Sequence, residues 1–419
     1  EGRFALDDRV VGFFPEHLPD TVSDNLAAMT VRDLLTMRTG HATGISGGEW
    51  RGLAGSWVAA FLREPVAEPP GHSFIYSSAS SYMLSAIVSR TTGQTAHAYL
   101  RPRMIEPLGM SALSWDTSPE GISTGGNGLS CTTEDVLKFG VLHLNHGQWG
   151  GRQLLPAAWV REATGRQVEQ VALGRLDGRR YQAPTAADRA SSEQREGYGY
   201  QWWMAPHGGC RASGVFGQQC VVLPRHDAVI AITAGLPDTT PRLMQAIWTH
   251  LLPALDGGGT QAAEAALSTR LASLALPGPI GATHAALAAS LAGARFGFPP
   301  NEEGVAEIAL DFTADACRFS LTDRRGTHSI TSGFGDGIEG DTTMTGNTLH
   351  HQYQPASLRV VAQAAWPAPD RLELQWRFVE TAFCDTVTLH FDGDRVRLDR
   401  RVNANAGAMR LAPVTGYRA

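Results

Sequence analysis

The chain has 419 residues and a formal net charge of −6, and 43% of its residues are hydrophobic against 18% charged. A net negative chain offers little surface for a polyanion, so nucleic acid is excluded as the expected partner. No window holds the roughly twenty uninterrupted apolar residues of a membrane-spanning helix, and the apolar content excludes a disordered chain. The length exceeds what one hydrophobic core usually serves, so we expect two domains.

Residues 1–255 alternate helical and strand-like segments. Thr30, with an acidic residue three positions later, predicts the N-cap of a short helix. Apolar periodicity predicts a helix over residues 79–92 that ends at Gly93, and Thr132 predicts the cap of a third helix. Strand-like runs and a closing helix follow at residues 198–204, 214–223, 228–233 and 242–252. This order favours a sheet covered by helices.

A glycine- and proline-rich stretch separates this segment from the rest. Glycines at 257–259, an alanine-rich helical run and Pro277-Gly278-Pro279 indicate a linker with a short helix over residues 256–277. Residues 278–419 contain short runs in which apolar and polar residues alternate, which is typical of half-buried strands. Asp392-Gly393-Asp394 predicts a hairpin, so we expect a smaller antiparallel β domain, as a sheet or a small barrel.

The cysteine and histidine patterns do not favour disulfides or metals. Five cysteines, widely spaced and without a Cys-x-x-Cys pair, indicate mostly buried free thiols. The pairs His143 with His146 and His350 with His351 lack a third ligand at metal-binding spacing, so satisfied or solvent-facing histidines are favoured. No metal or organic cofactor is predicted.

Tyr76 and Ser78 stand just before the helix predicted at 79–92. A tyrosine at a helix entrance could relay a proton, but its usual pKa near 10 requires a neighbouring cation or a partner for it to act as a base. Packing for Tyr76 and helix capping for Ser78 are the ordinary structural alternatives.

Gly214 and Gly217 open the apolar run at 214–223. Glycine lets a ligand approach the backbone, and a strand edge that offers its amides to a substrate carbonyl can form an oxyanion site. A β-bulge would explain the same glycines.

Taken together, these segments resemble the penicillin-recognising serine hydrolases related to class C β-lactamases. The matching segments occur in the order of that family: residues 32–41 (its "DLLTHTSG" run), 70–78 (its tyrosine motif), 106–110, 125–130 (its "GG-GL-S" turn) and 212–214 (its Lys-Thr-Gly motif). The resemblance covers residues 1–255 and implies an α+β, β-lactamase/transpeptidase-like domain, followed here by the smaller β domain.

The resemblance also implies a serine nucleophile and a lysine one helical turn apart, as Ser-x-x-Lys. No such motif occurs here, because the only lysine, Lys138, has Asp135 three positions before it. In the family the pair lies on a helix upstream of the segment that resembles residues 1–8, so we expect the nucleophile before residue 1. The alternative is a pseudoenzyme that keeps the cleft for binding or regulation.

Residue by residue, the resemblance implies a role for five positions. Tyr76 matches the family's tyrosine, and Ser78 occupies the position often held by asparagine. Ser213 and Gly214 match the last two residues of Lys-Thr-Gly, and Val215 follows where the oxyanion-hole amide would be.

Ala212 departs from the family because it replaces the lysine of that motif. Losing the cation implies weaker recognition of substrate carboxylates and a preference for esters, unless Arg211 substitutes for it. Adjacent side chains on a strand face opposite ways, which argues against Arg211.

Other residues have weaker functional interpretations. Ser46 and Ser123 each lie in a Gly-x-Ser-x-Gly sequence, which would suggest an α/β-hydrolase elbow, but both are expected in turns outside a strand-to-helix context. His41 could approach the cleft, although turn polar groups usually bond local backbone. Tyr200 and Trp202 alternate with other aromatic residues and are candidates for a substrate-binding wall.

The sequence therefore predicts a serine hydrolase that forms an acyl-enzyme with a small-molecule ester or amide. Tyr76 and Ser78 are its catalytic candidates, and Ser213, Gly214, Val215 and Tyr200 are its substrate-binding candidates. No nucleic acid and no membrane span are expected.

Overall fold

The structure is a computed structural model that describes residues 2–111, 113–169, 171–177, 180–191, 196–237, 240–255, 257 and 260–419. It divides into two compact units. The first comprises residues 1–233 with 241–245, and the second comprises residues 234–240 with 246–419. The domain boundaries predicted at residues 255 and 278 stay predictions.

The α-helices of the described residues are α1 (Asp24–Ala28), α2 (Val31–Leu35), α3 (Gly47–Trp50), α4 (Trp57–Arg63), α5 (Ser78–Thr92), α6 (Ala96–Leu100), α7 (Thr133–Leu144), α8 (Ala157–Ala163), α9 (Ala186–Ser191), α10 (Thr240–Ala246), α11 (Leu252–Leu255), α12 (Gln261–Ala272) and α13 (Leu287–Leu291).

The β-strands of the first unit are β1 (Gly44–Ile45), β2 (Ser114–Trp115), β3 (Leu129–Ser130), β4 (Gln148–Trp149), β5 (Arg152–Gln153), β6 (Arg180–Tyr181), β7 (Trp203–Ala205), β8 (Gly209–Gly214), β9 (Gln218–Leu223) and β10 (Ala228–Ile232). Those of the second unit are β11 (Ala294–Gly297), β12 (Glu307–Phe312), β13 (Ala316–Asp323), β14 (Gly326–Phe334), β15 (Ile338–Thr342), β16 (Leu358–Ala368), β17 (Arg371–Phe378), β18 (Cys384–Asp392), β19 (Arg395–Val402) and β20 (Val414–Arg418).

Local signals in the sequence set the helix ends. Thr30 and Asp33 exchange hydrogen bonds in a capping box at the start of α2, and Thr132 and Asp135 do the same for α7. Helix α5 ends at Gly93, whose φ of 72° closes the helix in the left-handed conformation. The three predicted helix ends are confirmed.

Helices α2, α4 and α5 form one hydrophobic core. Leu34, Phe61, Met83 and Ala86 are among its fully buried side chains. Met83 and Ala86 are three residues apart in α5, so they lie on one face of that helix, and this face packs into the core. The start of α5 is thereby fixed within the first unit.

The main sheet of this unit is antiparallel, in the order β10-β9-β8-β7. The strand predicted at 228–233 is confirmed by β10, but the other two predicted runs were only partly right. Residues 198–202 form a turn before β7, and Gly214 ends β8 instead of opening β9. Apolar alternation did not reveal these turns, because aromatic and glycine residues occupy them.

The second unit is a β-barrel. Its sheet runs β14-β13-β12-β11-β20-β19-β18-β17-β16-β15, and a short parallel pairing of β14 with β16 closes the ring. The other strand pairs are antiparallel. Trp376, Phe296, Phe319 and Phe378 are fully buried, so side chains fill the interior.

A polar group of three side chains is buried inside this barrel. His350 accepts the N–H of Gly346 at Nδ1 (3.0 Å), so its Nε2 carries the proton and donates to Asp385 at 2.7 Å. Arg400 donates through Nε to the other oxygen of Asp385 at 2.7 Å. Burial alone would raise the pKa of Asp385, but Arg400 and His350 hold it below its usual range.

The cysteines of the described chain are free thiols. Cys210 and Cys220 lie on the same face of β8 and β9, and Cys317 lies in the barrel interior. Burial raises the pKa of Cys210 and of Cys220 to about 12, and it raises the pKa of Cys317 as well. The prediction of mostly buried thiols is confirmed.

Asp385→Ala should strongly destabilise the barrel, because it leaves Arg400 buried without its carboxylate. We expect a loss of about 3–5 kcal/mol in the free energy of unfolding, measured by chemical denaturation of the second-unit transition. Glu339→Ala, which removes an exposed partner of Arg359, is the matched control and should change that transition little. Equal effects of the two variants would contradict a stabilising role for the buried Asp385–Arg400 pair.

Candidate active site

The entrance of α5 is formed by Tyr76, Ser77 and Ser78. Ser77 is the N-cap residue, but its hydroxyl binds Ile45 of β1 instead of the helix, accepting the Ile45 N–H at 3.2 Å. Ser78 is the first helical residue and is half-buried, and its hydroxyl makes no hydrogen bond to other described residues. The side chain of Ser78 is therefore available to a ligand.

Tyr76 lies in an aromatic cluster. Its ring stacks on Trp203 of β7 at 5.5 Å between centroids, and it meets the Tyr181 ring edge-on at 5.1 Å. Burial raises the pKa of Tyr76, and no cation contributes to that shift. The hydroxyl is therefore protonated at neutral pH and can donate a hydrogen bond.

The glycine turn at 125–128 packs directly on the backbone of α5. A Cβ on Gly125 would lie 2.4 Å from the Ser81 carbonyl oxygen, and one on Gly126 would lie 2.5 Å from that of Ser78. Only glycine permits this approach, so the turn that resembles the family's "GG-GL-S" segment borders the Ser78 end of the helix.

The last residues of β8 have an open edge. β7 pairs with β8 only from Gly209 to Arg211, whereas residues 212–214 pair with β9 alone in the part of the chain that the structure describes. Their backbone groups on the β7 side have no strand partner. The Ser213 hydroxyl accepts a hydrogen bond from Nε2 of Gln219 at 2.9 Å. Val215, which follows the end of β8, is 43% exposed.

The strand register links this edge to Tyr76. Trp203, on which the Tyr76 ring stacks, is the register partner of Arg211. Arg211 and Ser213 share one face of β8 because they are two residues apart. The structure thus brings Tyr76 and the Ser213 end of β8 to the same face of the sheet.

Ala212 faces the other side, where it packs against the cluster that contains Cys210 and Val222. Arg211 lies on the opposite face of the strand from Ala212, which is the Tyr76 face of the sheet, and it is 2% exposed. The alternation that was expected to argue against Arg211 therefore places it on the site face.

Tyr200 is not brought together with Tyr76. It is 3% exposed, its ring stacks on Trp159, and its hydroxyl donates to Glu162 at 2.9 Å and accepts from Arg32 at 2.5 Å. Trp202 belongs to the same cluster. These contacts explain Tyr200 structurally, and its predicted role in substrate binding stays a prediction.

Neither Gly-x-Ser-x-Gly sequence forms a nucleophile elbow. Ser46 does lie between β1 and α3, contrary to expectation, but its φ is outside the left-handed region and it is buried, so the strained elbow is not formed. Ser123 is fully buried in a loop, where its hydroxyl accepts the His97 N–H at 3.3 Å.

Neither a metal site nor a membrane-spanning helix is found among the described residues. No group of three His, Cys, Asp or Glu side chains could hold an ion there. No described helix is long and apolar enough to cross a membrane. His143 instead bonds the Phe139 carbonyl at 2.9 Å through Nδ1, as expected for a satisfied histidine.

Sequence reasoning missed Trp203, Ser77 and Gln219. Trp203 was visible only as one of several alternating aromatics, and its partner could not be known without the turn at 198–202. Gln219 is the register partner of Ser213, which a correct assignment of the β8–β9 turn would have revealed.

A helix entrance with a tyrosine, a glycine turn packed on that helix, and an open strand end on the same face of the sheet are the features that the resemblance to β-lactamase-fold serine hydrolases implies. The model of the β-lactamase family matches residues 1–252. The chain belongs to this family, and the resemblance found in the sequence is confirmed.

Several known proteins are similar to this chain. The 6-aminohexanoate-dimer hydrolase of Paenarthrobacter ureafaciens is 26% identical over 185 residues, which is 43% of this chain and 43% of that relative. The octameric penicillin-binding protein homologue from Pyrococcus abyssi is 13% identical, with a TM-score of 0.39 over 99% of this chain and 83% of that one. A penicillin-binding protein homologue from Caulobacter crescentus is 16% identical, with a TM-score of 0.37 over 55% and 71% of the two chains. The chain thus spans less than half the length of the curated relative.

His41 is a buried histidine beside the site-bearing helices. It is 5% exposed, its Nδ1 bonds the Thr39 hydroxyl at 2.8 Å, and its ring meets Phe61 edge-on. Burial lowers its pKa to about 4; Glu64 partly opposes this shift, and Arg180 adds to it. His41 is therefore neutral at physiological pH.

Acid should destabilise the protein through His41. Between about pH 6.5 and 4 the unfolded state binds the proton and the folded state does not, so stability falls as the pH falls through this window, by about 3 kcal/mol. His41→Gln should flatten the pH dependence of the unfolding free energy in this range. His72→Gln, at an exposed histidine, is the control, and a slope unchanged by His41→Gln would contradict this origin.

Proposed function

We propose that the protein is a serine hydrolase that cleaves a small-molecule ester or amide through an acyl-enzyme. The observation that carries this proposal is that Tyr76 and the open Ser213–Gly214 end of β8, just before Val215, lie on one face of the sheet. The first could move a proton, and the second could bind a developing oxyanion through the Val215 amide.

The reaction needs a serine and a base that these 419 residues do not supply as Ser-x-x-Lys. We propose that the full-length protein contributes this pair. Its serine oxygen attacks the substrate carbonyl while the lysine takes the serine proton, and the resulting oxyanion is held by the backbone amide of Val215. The proton then passes to the leaving group, and water hydrolyses the acyl-enzyme.

Tyr76 needs a cation to act as more than a hydrogen-bond donor. Its raised pKa keeps the phenol protonated, and the positive charge of the proposed lysine would lower it and allow proton transfer to the leaving group. Ser78, at the helix entrance, would bind a polar group of the substrate.

The proposed preference for esters rests on the resemblance alone. Ala212 stands where the family has a lysine, and losing that cation would weaken recognition of a carboxylate. In the structure, however, Ala212 faces away from Tyr76, and Arg211 lies on the Tyr76 face of the sheet. The curated relative is named for hydrolysis of a 6-aminohexanoate dimer, an amide, so amides stay within the proposed class.

Labelling by a fluorophosphonate tests the proposal. The full-length protein should react covalently and the 419-residue chain should not, and peptide mapping should place the label on a serine followed three residues later by lysine. Absence of labelling in the full-length protein would reject the hydrolase and favour a binding pseudoenzyme.

Tyr76→Phe in the full-length protein should lower the rate of ester hydrolysis by about 10²–10⁴-fold, because it removes a proton-transfer group. The stacked ring is retained, so the melting temperature should change little. Tyr181→Phe removes the hydroxyl of the ring that meets Tyr76 edge-on and is the control. A Tyr76→Phe enzyme with normal kcat would exclude the proton-transfer role.

A further inference from the structure

A tight turn precedes β7, and Gln201 lies at its tip. Tyr198 and Trp203 form a bridge across the turn, and the Gly199 N–H donates to the Trp202 carbonyl at 2.7 Å. Gln201 has a φ of 62°, a left-handed conformation that this type of turn normally assigns to glycine or asparagine. A glutamine there carries backbone strain that its surroundings must maintain.

The side-chain amide of Gln201 joins two helices. Nε2 donates to the carbonyl oxygens of Leu34 (3.3 Å) and Leu35 (3.2 Å), and the Gln201 backbone N–H donates to Leu35 at 3.1 Å. Both carbonyls lie in the last turn of α2, where the regular helical hydrogen bonds end, and the Leu34 oxygen also accepts the Met37 N–H at 3.4 Å. Oε1 accepts the hydroxyl of Ser81 in α5 at 2.6 Å.

Two neighbours of Gln201 adjoin the candidate site: Ser81 on α5 and Trp203 on β7. Ser81 is three residues after Ser78, so the two lie on the same face of α5, one turn from the helix entrance. On the strand side, Trp203 follows Gln201 by two residues, and the Tyr76 ring stacks on it. Gln201 therefore connects the start of α5 to β7, because its side chain bonds Ser81 and its backbone leads into the strand.

We propose that Gln201 is a positioning residue that fixes the entrance of α5, with Tyr76 and Ser78, against β7 and the open end of β8. A glycine would form the same turn with less strain and would keep the backbone bond to Leu35, but it would lose the side-chain bonds to α2 and to Ser81 of α5. We attribute the glutamine at this strained position to its side-chain bonds with α2 and α5 and not to the requirements of the turn. The inference rests on the proposed function only in that the positioned groups are the proposed catalytic ones.

Hydrogen exchange of the full-length protein tests the positioning without any activity. Gln201→Gly should raise amide exchange near the start of α5 (residues 80–82) by about tenfold, while the melting temperature stays near that of the wild type because lost hydrogen bonds and relieved strain oppose each other. His146→Gly is the matched control, because it also relieves a left-handed residue (φ 50°) in the same unit but should leave exchange in α5 unchanged.

The Ser81–Gln201 bond itself is tested by a double-mutant cycle. Ser81→Ala alone should reproduce part of the increase in exchange, and the double variant should exceed Gln201→Gly by little, since both remove the same bond. Additive effects, unchanged exchange in Gln201→Gly, or a uniform rise across the first unit with a lower melting temperature would each overturn the positioning role.

Kinetics separate this inference from the proposed function. If the full-length protein reacts with the fluorophosphonate, Gln201→Gly should lower the maximal labelling rate about tenfold with little change in the half-saturating concentration, and Gln201→Asn should restore part of it. A wild-type maximal rate in Gln201→Gly would overturn the inference. An unreactive wild-type protein would reject the proposed function instead, and hydrogen exchange would still decide the positioning.

Discussion

The stack of the Tyr76 ring on Trp203 is the contact on which the arrangement of the candidate site depends. Tyr76 belongs to the helical half of the first unit and Trp203 to its sheet, so their contact joins the two parts that carry chemically useful groups. Aromatic stacking combines a large buried area with a preferred geometry. It therefore sets both the distance and the tilt of the tyrosine relative to the strand end.

Short-range signals predicted the helical part of the fold well. Thr30, Thr132 and Gly93 mark their helix ends because capping is a local interaction between a side chain and the nearest amides. The alternating pattern of the second unit likewise predicted strands, because each faces a core on one side only. Closure into a barrel depended on the pairing of β14 with β16, which no local pattern encodes.

The candidate site was predicted less completely. Tyr76 and Ser78 were found through a family resemblance, whereas Trp203 and Gln219 act through strand register, a property of two segments distant in sequence. The left-handed glutamine was hidden for another reason: Gln201 occupies the left-handed position of its turn, where glycine is the usual residue. A left-handed turn residue that is neither glycine nor asparagine cannot be recognised from residue type alone.

The buried thiols have a practical consequence. Cys210 and Cys220 are buried, and burial raises the pKa of each thiol to about 12, so alkylating reagents should react with them only when β8 and β9 open. Cys317 responds in the same way to opening of the barrel. The chain thus contains buried thiols in each unit that report local unfolding, and their alkylation kinetics, assigned by peptide mapping apart from the half-exposed Cys131 and Cys384, would time the opening of the sheet and of the barrel separately.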